Sequence, residues 1–233
     1  MLDVQQLCAW YGKAQILFDV SLHVDAGQCV ALMGRNGAGK STTMKALMGL
    51  MARRSGRISF EGRDVSQLAP HAISRLGLGW VPEDRRIFTD LSVRENLEVG
   101  RQPARVGAAA WTPEKLFELF PNLATMLDRP GGRTSGGEQQ MLTIARTLMG
   151  NPRLILLDEP SEGVAPLIVE QLARLMLTLK QQGLSILLSE QNLHFARLVS
   201  DRAVVLEKGQ VQFSGTMEQL MADDTVQRTY LSV

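Results

Sequence analysis

The chain has 233 residues, of which 45% are hydrophobic, 21% charged and 5% aromatic, a composition that supports one large α/β domain and excludes a disordered tail, a tandem array or a disulfide-stapled miniprotein. With 25 Lys and Arg against 24 Asp and Glu, the net charge of +1 lacks the basic excess of a protein that holds nucleic-acid phosphates. Nucleic acid is therefore not expected as a partner.

In chain order, Leu2 to Leu7 and Leu17 to Val24 read as short antiparallel strands separated by a loop at Ala9-Trp10-Tyr11-Gly12-Lys13. Gln28 to Met33 is a continuous small-apolar run, Gly34 to Lys40 a glycine loop, and Ser41 to Leu50 carries helical spacing at Met44, Leu47 and Met48. Arg57 to Phe60 and Leu78 to Val81 are further strands. From Val93 to Leu148 the pattern turns helical, with segments at Val93 to Val99, Pro113 to Phe120 and Glu138 to Met149 joined by Pro-, Gly- and Arg-rich connectors.

The remainder alternates. Strands at Leu154 to Leu157, Ser185 to Leu188 and Ala203 to Leu206 are separated by helices at Pro166 to Lys180 and Asn192 to Val199, the order of a parallel sheet flanked by helices. Val211 to Phe213 follows as a hairpin strand after Lys208-Gly209, and short helices near Met217 to Met221 and Thr225 to Leu231 close the chain.

Gly34-Arg35-Asn36-Gly37-Ala38-Gly39-Lys40-Ser41 matches the phosphate-loop pattern G-x-x-x-x-G-K-[ST] between a strand and a helix. Glycines let successive N–H groups turn inward, and the following helix offers its positive end to phosphate oxygens. Lys40 is then expected to reach the β and γ phosphates of ATP, and Ser41 to ligate Mg²⁺. Arg153 to Glu159 is an apolar strand ending in two carboxylates. Asp158 suits Mg²⁺, directly or through water, and Glu159 suits the attacking water. The competing reading, two acids that cap the next helix, weakens once the glycine loop is present.

Thr134-Ser135-Gly136-Gly137-Glu138-Gln139-Gln140 resembles the L-S-G-G-Q signature of the ATP-binding cassette (ABC) family, and the three motifs stand in that family's order. The resemblance covers essentially the whole chain. It implies an α/β fold of the P-loop NTPase type with a mixed, mainly parallel sheet core, an N-terminal antiparallel β region and an inserted α-helical subdomain. One domain would span 1–233, with 1–92 and 150–233 as nucleotide-binding core and about 93–149 as the helical insert. It further implies ATP sandwiched between two cassettes, with Gly34, Asn36, Gly37, Ala38, Gly39, Lys40, Ser41 and Thr42 on one side and Ser135, Gly136 and Gly137 of the opposing cassette on the other. Tyr11 matches the aromatic that stacks on adenine, with Trp10 the less favoured candidate.

Two positions depart from the common family pattern. Glu83, in Val81-Pro82-Glu83-Asp84-Arg85-Arg86-Ile87-Phe88, stands where a Mg²⁺-sensing glutamine is usual, and Gln191, in Ser189-Glu190-Gln191-Asn192, stands where a switch histidine is usual. Glu83 can ligate metal but cannot donate a hydrogen bond when ionised, whereas Gln191 can donate to a γ-phosphate without carrying charge.

Both departures, together with S-G-G-E-Q-Q-M and E-P-S-x-G-x-A-P stretches, resemble the ATPase subunits of branched-chain amino-acid-type importers. This narrower resemblance implies hydrolysis of ATP, with Glu159, Gln191 and Lys40 as catalytic residues and Ser41, Asp158 and Glu83 around Mg²⁺. Permease subunits, a second cassette and an extracytoplasmic solute-binding protein are the implied partners, at the cytoplasmic face of the membrane. An exporter or lipid-transport ATPase of the same fold is the alternative, and a soluble cassette protein a more distant one.

Cys8 and Cys29 lie in apolar strand-like stretches without metal-ligand spacing and read as buried free thiols. Met1 to Gln6 lacks a signal-peptide pattern, and no window approaches about 18 apolar residues, so any membrane role is expected to run through a partner. His23, His71 and His194 are scattered and receive no catalytic role. The arginines at 53, 54 and 57, and at 85 and 86, read as a solvated face.

Overall fold

The computed structural model describes residues 1–107 and 110–231; positions 108 and 109 of the expected helical insert lie outside the described residues. An antiparallel sheet is built from β1 (Leu2–Tyr11), β2 (Ala14–Val24), β4 (Arg53–Phe60) and β5 (Arg63–Asp64), in the order β2-β1-β4-β5. A second sheet, in the order β10-β9-β3-β8-β7-β6, contains β3 (Cys29–Met33), β6 (Leu78–Val81), β7 (Leu154–Asp158), β8 (Ser185–Glu190), β9 (Arg202–Glu207) and β10 (Gln210–Thr216). It is parallel except for β10, which runs antiparallel to β9. The expected mixed α/β architecture is present.

Every residue of β3, β7 and β8 is buried, which explains why these strands read as unbroken apolar runs rather than alternating ones. Helix α1 (Lys40–Leu47) and α2 (Pro70–Leu76) precede α3 (Val93–Gly100), α4 (Pro113–Leu119), α5 (Pro121–Ala124) and α6 (Gly136–Leu148); α7 (Pro166–Gln181), α8 (Leu193–Val199), α9 (Met217–Ala222) and α10 (Asp224–Val226) follow. Among the described residues no helix is long and apolar enough to cross a membrane.

The first strands are longer than their apolar pattern indicates. Ala9, Trp10 and Tyr11 belong to β1, and the expected loop shrinks to a turn at Gly12-Lys13, because cross-strand pairing of Trp10 with Gln15 and Tyr11 with Ala14 overrides the polar residues. Likewise β4 begins at Arg53, ahead of its apolar core, through pairing of Arg53 and Arg54 with Trp10 and Ala9.

Two helices of the middle segment start with reciprocal caps. Ser92 accepts from the Glu95 amide while Glu95 accepts from the Ser92 amide, and Ser135 with Glu138 does the same at α6. Between them, buried Asn96 fastens the preceding loop: its amide donates to the carbonyls of Phe88, Leu91 and Ser92, and its oxygen accepts from the Phe88 amide at 2.9 Å.

Three expectations about single residues need correction. Cys29 is buried and its thiol is pushed up to about 12 by desolvation, but Cys8 is only partly covered and its sulfur meets Asp19 at the strand surface. Arg54 is not simply solvated; it donates to the carbonyls of Met51, Ser66 and Leu68. Arg85 also turns inward, donating to Gln140 at 3.2 Å, while its carbonyl accepts from Thr143 and Arg146. In each case the environment is set by tertiary partners that the local pattern does not mark.

Candidate nucleotide site

Strands β3, β8 and β7 are neighbours running the same way, so their carboxyl ends deliver three loops to one place. Register makes this specific: Met33 pairs with Glu190, and Asp158 pairs with Ser189. Crevices at strand carboxyl ends are where open α/β sheets bind ligands.

The glycine loop leaves β3 through Gly34, Gly37 and Gly39, all at positive φ. A Cβ on Gly34 would stand 2.4 Å from the Leu206 carbonyl, so this position requires glycine on steric grounds as well. The N–H groups of Gly39, Lys40, Ser41 and Thr42 have no acceptor among the described residues, and they crown α1. Such a row of unsatisfied donors at a helix start fits phosphate oxygens.

The turn of the β9–β10 hairpin clamps this loop from behind. Gly209 accepts from the Phe18 amide at 2.9 Å and donates to the Ala38 carbonyl at 2.8 Å, joining β2, hairpin and glycine loop in one chain of main-chain bonds. The Lys208-Gly209 turn is legible in the sequence, whereas its contact to the loop depends on the fold. Tyr11, at the end of β1, is half exposed, whereas the ring of Trp10 is covered by the Arg53 guanidinium 4.6 Å from its centre. Of the two, Tyr11 has the open face that stacking needs.

The buried ammonium of Lys40 donates to the carbonyls of Gly34 at 2.8 Å and Arg35 at 3.2 Å, and lies 3.0 Å from Glu159. Ser41 donates to Asp158 at 3.0 Å. Burial pushes the Asp158 carboxyl up, against the hydrogen bonds it accepts. A hydroxyl and a buried carboxylate this close, next to the buried hydroxyl of Ser189, form an oxygen-rich donor set that could hold Mg²⁺.

Glu83 is exposed and forms no hydrogen bond to Ser41 or Asp158; its charge acts on Asp158 and Glu162 from a greater distance. Among the described residues no three His, Cys, Asp or Glu side chains converge on a metal position.

Glu159 has φ 46° and its amide donates to the Ser189 carbonyl at 3.0 Å, which turns the side chain away from the strand and into the site. Burial opposes its ionisation, but hydrogen bonds from Glu162, Lys40 and Gln191 outweigh burial and hold its carboxyl below the ordinary glutamate value. Gln191 donates to Glu159 at 2.9 Å and to Asn36 at 2.7 Å, bridging the glycine loop and the acidic strand end. Glu162 is pushed up to about 7, chiefly by its hydrogen bond with Glu159.

Ser135 caps α6, and Gly136 and Gly137 form its first turn. Gly137 lies against α7, where a Cβ would stand 2.9 Å from Ile168. Thr134, a leucine or methionine in the usual pattern, is buried and returns its hydroxyl to the Gly131 carbonyl at 2.7 Å, so it packs without an orphaned polar atom. Among the described residues the signature segment forms no hydrogen bond with the glycine loop of its own chain. None of the three histidines joins the site; His23 bonds Asp25 at the surface.

Residues 17–162 match the ABC transporter family. The chain is 41% identical over 99% of its length, and 99% of the relative's, to BraG of Pseudomonas aeruginosa, a high-affinity branched-chain amino acid transport ATP-binding protein. It is 36% identical to the lipopolysaccharide export ATP-binding protein LptB of Haemophilus influenzae, covering 99% of this chain and 97% of that one. Among solved structures, an ATP-binding subunit of an ABC transporter aligns over 100% of this chain and 96% of its own with a TM-score of 0.83 and 31% identity. With phosphate loop, acidic strand end and signature helix on this scaffold, the chain belongs to the ABC transporter family as an ATP-hydrolysing cassette.

Proposed function

We propose that the protein is the ATPase subunit of an importer for branched-chain amino acids or related small polar solutes such as other amino acids, amides or urea. The observation that carries this reading is the full-length similarity to BraG, supported by the probable branched-chain amino acid transport protein LivF of Archaeoglobus fulgidus at 32% identity over 100% of the chain. The similarity to LptB favours a second reading, a lipopolysaccharide-type exporter. Glu83 and the Glu190-Gln191-Asn192 run, which match the importer pattern, favour the first.

In this account Glu159 is the general base for the attacking water, Gln191 orients water and γ-phosphate, and Lys40 neutralises phosphate charge. The Lys40–Glu159 pair at 3.0 Å gives the site a built-in order. A γ-phosphate drawing Lys40 away frees the carboxylate that must accept the proton. Mg²⁺ held by Ser41 and Asp158 would offset charge on the phosphates. The amide row from Gly39 to Thr42, with Asn36, Gly37 and Ala38, cradles the phosphates, and Tyr11 stacks on adenine.

Because Ser135, Gly136 and Gly137 lie apart from their own glycine loop, a second cassette must supply the facing signature. The helical stretch from about 93 to 149 then moves with that signature as one unit within the single domain of 1–233. A groove of about 430 Å³ lined by Trp80, Arg86, Phe88, Val99, Gln102 and Arg146 lies beside the Glu83 loop, with Phe88 and Val99 exposed. It suits a helix of a permease subunit, which would hold the protein at the cytoplasmic face of the membrane, with a solute-binding protein acting through the complex.

Affinity purification of tagged Glu159→Gln protein from gently solubilised membranes, with ATP and Mg²⁺, tests the assignment. Two multi-span subunits and a cassette partner support it. Recovery of a lipopolysaccharide-handling complex supports the exporter, and recovery of soluble partners alone contradicts both.

A further inference from the structure

Glu190 ends β8 with a carboxylate that is 2% exposed. One of its oxygens accepts from the Ser161 amide at 3.1 Å; the other accepts from the Gln191 amide at 3.1 Å and the Asn192 amide at 3.2 Å. Its donors come from two segments far apart in sequence, the loop after Glu159 and the switch that carries Gln191. No Lys or Arg forms a salt bridge with it among the described residues, and burial drives its pKa upward despite the three N–H groups.

A buried carboxylate without a cation costs stability that an apolar residue at this strand end would not. A carboxylate does here what an apolar residue cannot. Three converging N–H donors need two acceptor oxygens; glutamine offers one and turns an NH₂ group toward donors, and serine or threonine is too short to span both segments.

The geometry forms a closed loop of contacts. Gln191 holds Glu159 through their side chains at 2.9 Å, while Glu190 holds Ser161, two residues after Glu159, and the Gln191 main chain. A shift of either segment is passed to the other through Glu190.

We propose that Glu190 is a positioning residue that locks the Gln191 switch to the loop from Ser161 to Pro166, so that the aim of Gln191 at the reacting phosphate and the setting of the loop beyond Glu159 change together. The inference rests on the assignment of Glu159 and Gln191 to hydrolysis. It gives Glu190 no proton-transfer role; its hydrogen bonds run to the amides of Ser161, Gln191 and Asn192 and to the Ser161 side chain.

The test is steady-state ATP hydrolysis by the full chain carrying Glu190→Gln, Gln191→Ala or both, with thermal unfolding and amide hydrogen exchange on each. Glu190→Gln should lower kcat by about tenfold with KM for ATP within about twofold, because misplacing a catalytic group slows chemistry more than it weakens binding. Protection of the Ser161 and Gln191 amides should fall. The double variant should be no slower than the slower single one, the mark of two residues acting through one path.

Parent-like kcat in Glu190→Gln, or losses that multiply in the double variant, would overturn the proposal. If Gln191→Ala itself keeps parental turnover, the catalytic assignment fails first. If it slows while Glu190→Gln does not, only the role of Glu190 fails. Should Glu190→Gln not fold, Glu190→Asp keeps both oxygens on a shorter stem and should give a kcat between parent and Gln191→Ala.

Discussion

The side-chain amide of Gln191 lies 2.9 Å from the carboxylate of Glu159, and the same nitrogen reaches Asn36 of the glycine loop at 2.7 Å. A neutral residue thus spans the glycine loop and the acidic end of β7. Because glutamine carries no charge, it orients Glu159 without competing with Lys40 for its negative charge. Removing it with Gln191→Ala should lower kcat by about ten- to a hundredfold and leave KM for ATP nearly unchanged. Steady-state kinetics reads both.

Glu159→Gln should bind ATP as the parent does and lose about 10²- to 10⁴-fold in turnover, the range of a general base. Lys40→Ala should instead weaken ATP binding, since its ammonium is buried against the loop it serves. Equilibrium binding of a fluorescent ATP analogue separates the two. Parental turnover in Glu159→Gln would remove it from the mechanism.

The Glu159–Glu162 pair predicts a pH dependence of stability. The Glu162 carboxyl is raised from 4.5 to about 7, so its contribution is complete below the lower value and is lost as pH rises through the upper one. Glu159, held low, is ionised across that window in folded and unfolded chains and adds no slope there. Unfolding temperature should fall between about pH 5 and 7.5 in the parent, and Glu162→Gln should flatten that fall. Equal slopes in both proteins would show that another group titrates.

Gly209 has φ 77°, and a Cβ there would meet the Ile16 carbonyl at 1.7 Å. Gly209→Val should therefore cost roughly 2–4 kcal/mol from backbone strain and the displaced β2, and ATP affinity should fall because the residue 209 amide that donates to the Ala38 carbonyl is shifted with the turn. Denaturant unfolding and ATP binding on the same variant check the two effects together.

Thr134→Val should be mild by comparison. It removes the hydroxyl bond to Gly131, whose carbonyl also accepts from the Thr134 amide at 3.2 Å and stays partnered. A loss of about 1 kcal/mol with turnover within twofold is expected, and a large loss of turnover would give the hydroxyl a role in the signature.

The strands that carry the site were legible because β3, β7 and β8 are buried on both faces and must be apolar throughout. The motifs at their ends were legible because phosphate binding restricts residue type at fixed spacing: glycine at 34, 37 and 39, then Lys40. The extensions of β1 and β4 were not, since they depend on cross-strand partners rather than local pattern. Nor were the bonds of Arg54, Arg85, Asn96 and Gly209, which join main-chain groups that sequence spacing does not mark. Glu190 shows the limit most clearly. Its place beside Gln191 was visible, but the Ser161 amide it accepts from is 29 residues away and is brought there only by the parallel pairing of β7 and β8.

Uptake by the complex, reconstituted in proteoliposomes with permease subunits and the proposed solute-binding protein, is the most direct test of the central claim. The account predicts ATP-driven accumulation of a branched-chain amino acid or a related small polar solute, abolished by Glu159→Gln. ATP-driven movement of substrate in the opposite direction, or extraction of lipopolysaccharide from the bilayer, would contradict it.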